Sequence, residues 1–196
     1  MRRLFVLYFS FVLAGAAQIN RAAVVAEINY ARQQPQVYAG LIQQWARYFR
    51  GQLLMLPGMN AVVPTHEGPA AVWEAVRALR ATKPIGALTE FAPLDQAADD
   101  LVREQGPRGG RGHVGLDGSQ PWTRMQRHAT GLTGFGEANA YGPADARSVV
   151  IGLLVDDGVP SRGHRQNLLN PVFKYAGVGC GRHATYKEMC VIDLAK

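Results

Sequence analysis

Apolar positions recur at helical spacing through the first half of this chain and alternate at strand spacing near its end. Residues 20–32 set Val24, Val25, Ile28, Tyr30 and Ala31 close to one helical face, and Pro35 stops that run. A second helix is predicted over 37–50, with Leu41, Ile42, Trp45, Tyr48 and Phe49 on one side. Residues 51–69 break the pattern, with Pro57-Gly58, Pro64 and Gly68-Pro69 as turn signals. Helices follow over 70–81, burying Val72, Trp73, Val76 and Leu79, and over 93–105, where Pro93 suits the first turn and Gly106 the end.

Residues 106–121 read as loop, 122–130 as a short helix, 135–141 as a strand and 144–156 as a helix with one apolar face. Residues 175–182 and 188–195 read as paired antiparallel strands. No repeats or low-complexity tracts interrupt this order. Mixed helices and strands without a repeating strand-helix-strand alternation argue for an α+β fold with an antiparallel sheet. The stretch 57–69 is a surface loop or insertion, not a boundary, because neither flank has a self-sufficient core.

The first residues change the picture. Met1-Arg2-Arg3, an apolar run from Leu4 to Leu13 and the small residues Ala14-Gly15-Ala16 describe a cleavable secretory signal over 1–16. The run falls well short of the roughly 20 apolar residues that span a bilayer, so no permanent membrane anchor is expected. A mature chain starting at Ala17 is one domain, 17–196, long enough for a full core. Its formal charge drops from +6 to +4 with the loss of Arg2 and Arg3, which is ordinary for a soluble protein and does not indicate nucleic acid. The expected location is secreted or periplasmic.

Cys180 and Cys190 lie on the predicted terminal hairpin of an exported chain, so a disulfide is expected between them. Two buried thiols, or a metal site shared with His183, are the alternatives.

Three glycine-flanked segments carry the candidate chemistry: Gly112-His113-Val114-Gly115-Leu116-Asp117-Gly118-Ser119, Gly134-Phe135-Gly136-Glu137-Ala138-Asn139-Ala140-Tyr141-Gly142, and Ser161-Arg162-Gly163-His164-Arg165-Gln166-Asn167-Leu168-Leu169-Asn170-Pro171. With the ending Ala176-Gly177-Val178-Gly179-Cys180-Gly181, their order resembles the CAP superfamily (cysteine-rich secretory proteins, antigen 5 and pathogenesis-related 1 proteins, also termed SCP-like), its bacterial branch in particular. The resemblance runs from about residue 94 to 196, and more loosely back to residues 28–32. It implies a three-layer α-β-α sandwich with a mainly antiparallel central sheet, and a surface cleft lined by two histidines and two acids. His113, Glu137 and His164 fall on three of those positions; Asp156 is the fourth, with Asp157 as fallback, because Leu153 replaces the tryptophan that precedes the family's acid. The family's asparagine after the glutamate is Ala138 here, and Asn139 faces away from that position in a strand.

Neutral imidazole is a common ligand of divalent metals, and a carboxylate beside it fixes its tautomer and raises its basicity. His113 and His164 are therefore the candidate ligands for zinc or another divalent metal, with Glu137 and Asp156 beside them. The expected function is a secreted protein whose cleft binds such a metal or a small, lipid-like ligand. Two rivals use the same residues: a metal-assisted hydrolase with Glu137 or Asp156 as general base, and a purely structural module that binds an extracellular protein.

Other chemistries lack their contexts. Gly110-Arg111-Gly112-His113-Val114-Gly115 spells a dinucleotide fingerprint, but it follows a helix, and Gly118 and Pro121 stop another from starting. The run Arg108-Gly109-Gly110-Arg111 is too short for single-stranded RNA. No G-x-S-x-G elbow occurs, Ser119 and Ser161 read as turn formers, and His66-Glu67 lacks the second histidine of a zinc-protease helix. His66, His128 and His183 are taken as surface or structural residues, and Arg165, Asn167 and Asn170 as turn supports.

Overall fold

The structure is a computed structural model that describes residues 19–57 and 62–196. The expected signal over 1–16 and part of the 57–69 stretch lie outside the described residues. Asn20 caps helix α1 (Arg21–Gln33) by accepting the Ala23 N–H, and the Pro35 that ends this run also opens α2 (Pro35–Trp45).

The helix expected over 37–50 stops early. Beyond Trp45 the chain tightens into a 3-10 turn (Ala46–Tyr48) and then extends as β1 (Phe49–Arg50). Gly51, at a positive φ of 62°, turns it back into β2 (Leu53–Leu54), which pairs antiparallel with both β1 and β3 (Val63–Pro64). The small three-stranded ribbon thus takes β1 from the end of the predicted helix and β2 and β3 from the segment read as loop.

Helix α3 (Pro69–Ala81) buries Ala71, Val72, Ala75, Val76 and Leu79. Trp73 is not among them, contrary to expectation, and stays 41% exposed. The buried stripe follows 72, 75, 76 and 79, and position 73 sits a step of about 100° off it.

The main sheet has the order β4-β6-β7-β5, with β4 (Thr89–Glu90) parallel to β6 (Tyr175–His183) and β7 (Lys187–Ala195) antiparallel to both β6 and β5 (Phe135–Tyr141). One face packs on α1 and α6 (Ala146–Val155), whose Val24, Ile28, Val150 and Leu154 share one core with Val178, Ile192 and Leu194, and α3 lies outside them against α2 and α6. The other packs on α4 (Ala92–Gln105) and α5 (Pro121–His128), where Leu94, Leu101 and Met125 meet Met189, Val191 and Ala195. This is the expected α+β, three-layer α-β-α sandwich. The short helix α7 (Gly163–Leu168) lies against β5. Among the described residues no helix is long and apolar enough to cross a membrane.

Helix α4 lies directly on the backbone of β6. Gly177, Gly179 and Gly181 point to its face, and side chains there would strike it: a Cβ at Gly177 would overlap the Leu94 backbone, one at Gly179 would sit 2.7 Å from the Ala98 carbonyl carbon, and one at Gly181 2.8 Å from Val102 Cγ1. Residues 94, 98 and 102 are successive turns of one helical face, so a period-two glycine strand matches a period-four helix ridge. The intervening Ala176, Val178 and Cys180 fill the opposite core. Cys180 and Cys190 face each other on β6 and β7 and form the expected disulfide, which excludes the thiol and metal alternatives.

Gly179→Ala is expected to cost about 3 kcal/mol, the upper part of the overpacking range, because backbone cannot move aside as a side-chain tip can. Opening the disulfide as Cys180→Ser/Cys190→Ser should cost on the order of 2–3 kcal/mol, since the loop it closes is short. Guanidinium denaturation measures both; a Gly179→Ala midpoint matching wild type would contradict the close packing.

Candidate functional site

The two histidines reach one cleft from different elements. His113 sits on the glycine-rich loop after α4, and His164 in the first turn of α7. Their ring centroids are 5.9 Å apart, with planes inclined at 43°.

Each imidazole is held from behind by a buried carboxylate. Glu137, on β5, places Oε1 2.7 Å from His113 Nδ1. Asp156 places Oδ1 2.6 Å from His164 Nδ1, and its Oδ2 accepts the His164 and Arg165 N–H groups. Asp156 ends α6 in the left-handed region at φ 57°, a conformation aspartate tolerates better than most residues. That turn aims its carboxylate at α7. A carboxylate accepting from Nδ1–H fixes the tautomer with a free lone pair on Nε2. No protein group among the described residues hydrogen-bonds either Nε2.

Asp157, the fallback, does not touch His164. Its two oxygens accept the His66 and Glu67 N–H groups at 2.7 and 2.8 Å. It ties the chain after β3 to the turn after α6. Arg162 reinforces that tie by pairing with both Glu67 and Glu74 at 2.6 Å. Hydrogen bonding to Arg162 holds both glutamates down to about 2. With folded values depressed, their contribution is complete above the ordinary glutamate range and is lost as pH falls from about 4.5 towards 2.

Behind His113 lies a charged cluster that the sequence reading did not single out. Arg124, on α5, is fully buried. It donates to Glu137 Oε2 at 2.5 Å, to the His113 carbonyl at 3.0 Å and to the Ser119 carbonyl at 2.9 Å. Asn139 shares a face of β5 with Glu137; its amide donates to Glu137 Oε1 and the Gly112 carbonyl and sits 3.2 Å from His113 Nδ1. The asparagine missing at position 138 is thus offset from two residues along the strand, where alternation returns to Glu137's face. Asn167 donates to the Glu137 carbonyl, and Arg165 to the Leu154 and Val155 carbonyls, both as supports.

Asp193 on β7 stands in register with Glu137 and is fully buried, and among the described residues no N–H or hydroxyl group donates to either of its oxygens. Burial first, and the adjacent Glu137 charge second, push its carboxyl well above the carboxylate range. Glu137 has Arg124, His113 and Asn139 around its oxygens, so a shared proton resides on Asp193. The remaining charges, Glu137 and Arg124, then cancel.

His183 and His128 are structural. His183 Nδ1 accepts the Thr185 and Tyr186 N–H groups while Nε2 faces the Gly110 carbonyl, and His128 pairs with Asp100. Ser119 closes a turn by donating its N–H to Asp117.

A groove of about 400 Å³ runs from the cleft to the β1–β3 ribbon. Arg111, Asn139, Asp156 and His164 contribute to its wall, as do Trp45, Phe49, Leu54, Leu153 and Tyr186.

The model of the cysteine-rich secretory protein family, CAP, matches residues 73–194, which is more than half the chain and includes all four cleft residues. The chain belongs to the CAP family. Solved structures similar to this family member include an extracellular SCP-domain protein from Bacillus anthracis, 23% identical with a TM-score of 0.48, covering 57% of this chain. An outer surface protein from Borrelia burgdorferi is 20% identical with a TM-score of 0.49, again over 57% of this chain and 79% of its own. A cysteine-rich secretory protein from Staphylococcus aureus is 14% identical, with a TM-score of 0.40, 69% of this chain and 42% of that one covered. The chain spans about a third, 34%, of the Bacillus anthracis protein. No curated protein matches it.

Asp193→Asn should stabilise the protein at neutral and alkaline pH. A raised folded value makes the native state hold a proton that the unfolded chain releases, so stability falls as pH rises above about 4, by about 1.4 kcal/mol per unit of elevation. Asparagine keeps the shape and removes that slope. Thermal melts from pH 4 to 8 measure it, and a variant with the wild-type slope would place the proton elsewhere.

Proposed function

We propose that this CAP protein is exported and that its cleft is a binding site for a divalent metal, with His113 and His164 as the ligands. The observation that carries the reading is the pair of imidazoles, 5.9 Å apart, each bonded through Nδ1 to its own buried carboxylate. That arrangement leaves two Nε2 lone pairs for one ion, and the donor set suits zinc.

Two imidazoles are the whole share of the described residues. Among the described residues no group of three or more His, Cys, Asp and Glu side chains gathers as a metal set. Both oxygens of Glu137 and both of Asp156 already serve the imidazoles, Arg124 or backbone N–H groups. The remaining coordination positions therefore belong to water or to a ligand from solution. A bound metal there supplies Lewis acidity and an anchor for an anionic or carbonyl oxygen. The same commitments argue against the hydrolase reading, in which Glu137 or Asp156 takes a proton directly from a bound water. Extracellular location rests on the leader-like residues 1–16 and the disulfide.

Calorimetric zinc titration of wild type, His113→Ala and His164→Ala tests the reading. Wild type should bind one equivalent, and each variant should lose at least tenfold in affinity. Affinity should also weaken as pH falls from about 7.5 to 5.5, by up to roughly tenfold per unit for each imidazole that must lose a proton. Affinity independent of pH and unchanged in the double alanine variant would reject the histidines as ligands and favour the interaction-module reading.

A further inference from the structure

The chain's mild positive charge is unevenly placed. Residues 28–89 hold six basic residues and two acids, a formal +4, while Arg2 and Arg3 supply the other two charges of the chain's +6. Elsewhere basic and acidic residues balance. The two acids of this stretch are already paired: Arg162 binds Glu67 and Glu74, and Arg165 also binds Glu74. Both arginines come from outside the stretch, so they cancel its acids and leave its own cations unanswered.

Five of the six cations reach solvent, and only Arg32 is buried. The buried stripe of α3 turns Trp73, Arg77 and Arg80 outward at i, i+4 and i+7, an exposed ridge about 10 Å long at 1.5 Å per residue. Lys83 follows just past the end of the helix. Helix α2 packs beside α3 and runs the other way, since Gln36 at its start donates to the Thr82 carbonyl beyond the end of α3. Arg80 reaches across to Gln43 Oε1 at 2.7 Å, and the 3-10 turn after α2, which carries Arg47, touches α3. Arg50 on β1 donates to the Arg47 and Phe49 carbonyls. These partners are neutral. Among the described residues none of Arg47, Arg50, Arg77, Arg80 and Lys83 forms an ion pair.

We propose that this outer α2–α3 face is a docking surface for an acidic polysaccharide, with the five cations on its carboxylate or sulfate groups and Trp73 against a sugar ring. The charge complementarity is direct, because guanidinium groups match the paired oxygens of such acids. Trp73, 41% exposed, presents a flat apolar plate to the carbon face of a sugar beside those cations. A membrane surface fits less well. An interfacial helix lays its apolar face into the lipid, whereas the apolar stripe of α3, with Val72, Val76 and Leu79, is committed to the core. A nucleic acid strand also fits less well, since such sites stack successive bases on several aromatic rings and this ridge offers one. The surface is separate from the histidine cleft and needs no metal in it.

Calorimetry at about 0.15 M salt, with chelator present, tests the proposal. The probes are a heparin octasaccharide, an oligogalacturonate of equal length, neutral maltooctaose, an oligothymidylate of matching charge, and phosphatidylcholine vesicles containing phosphatidylglycerol. One acidic glycan should bind saturably and about tenfold or more tightly than maltooctaose, the oligothymidylate and the vesicles, and the tighter of the two glycans names the acid group. Arg77→Gln/Arg80→Gln should lower that affinity about tenfold or more and reduce the slope of log affinity against log salt by about two, one for each cation. Trp73→Ala should weaken it by about threefold or more, with Trp73→Phe restoring most of the loss. Arg108→Gln/Arg182→Gln removes the same charge from exposed positions outside the stretch and should change the affinity by no more than about twofold. His113→Ala/His164→Ala should bind the glycan as wild type does, and circular dichroism should show every variant folded. The proposal is overturned by the absence of saturable glycan binding, by equal or tighter binding of maltooctaose, oligothymidylate or vesicles, or by unchanged binding in Arg77→Gln/Arg80→Gln or Trp73→Ala. An equal loss in Arg108→Gln/Arg182→Gln would reduce the effect to net charge, and a loss in the double histidine variant would move the site to the cleft; each also overturns it.

Discussion

The site depends on one buried ion pair. Arg124 and Glu137 meet with essentially no solvent access, and the same guanidinium holds the carbonyls of His113 and Ser119. Burying an arginine is costly unless its charge and donors are matched, and removing one partner of such a pair costs about 3–5 kcal/mol because the other is stranded. The geometry here matches the charge and all but one of the donors, Nε having no partner. One residue of a short helix therefore fixes the carboxylate that orients His113 and the loop that carries it. A protonated Asp193 keeps the balance, since a second buried anion next to Glu137 would leave the cluster with a net charge.

The second support is the intimate contact of α4 with β6. Three glycines on one strand face bring the helix backbone onto the sheet, and α5 packs against that same helix. Moving α4 outward would carry the loop that begins at its C-terminal end, and His113 with it. On the other side, the left-handed turn at Asp156 and the Arg162 links to Glu67 and Glu74 place His164 and the β1–β3 ribbon relative to each other. The two halves of the cleft thus rest on different layers of the sandwich, and the sheet sets the distance between them.

Much of this was legible in the chain because it is local or ordered along it. Helical periodicity, the terminal hairpin with its cysteine pair and the glycine-flanked segments are short-range signals. They identify the elements and the residues that the structure gathers in the cleft. What escaped notice depends on long-range contact. Pro121-Trp122-Thr123-Arg124-Met125-Gln126-Arg127-His128 reads as a polar surface helix, and nothing in it says that Arg124 points inward. Asp193 left a fainter sign, a single acid in the apolar run of β7. Asn139 could have been found by counting two residues from Glu137 along a strand. The β1–β3 ribbon has two-residue strands, too short for any alternation to show, and Trp73 sits just off a stripe that its size alone suggested it should join.

The central claim is that each buried carboxylate holds its histidine by Nδ1–H and turns an Nε2 lone pair toward the cleft. Long-range nitrogen–proton NMR correlations of the imidazole rings at about pH 8, with the metal removed, report this tautomer directly. The account predicts that His113 and His164 both show a protonated Nδ1 and an unprotonated, pyridine-type Nε2, while Glu137→Gln and Asp156→Asn each disturb only the histidine they touch. Protonation at Nε2 of either ring in the wild-type protein would contradict it.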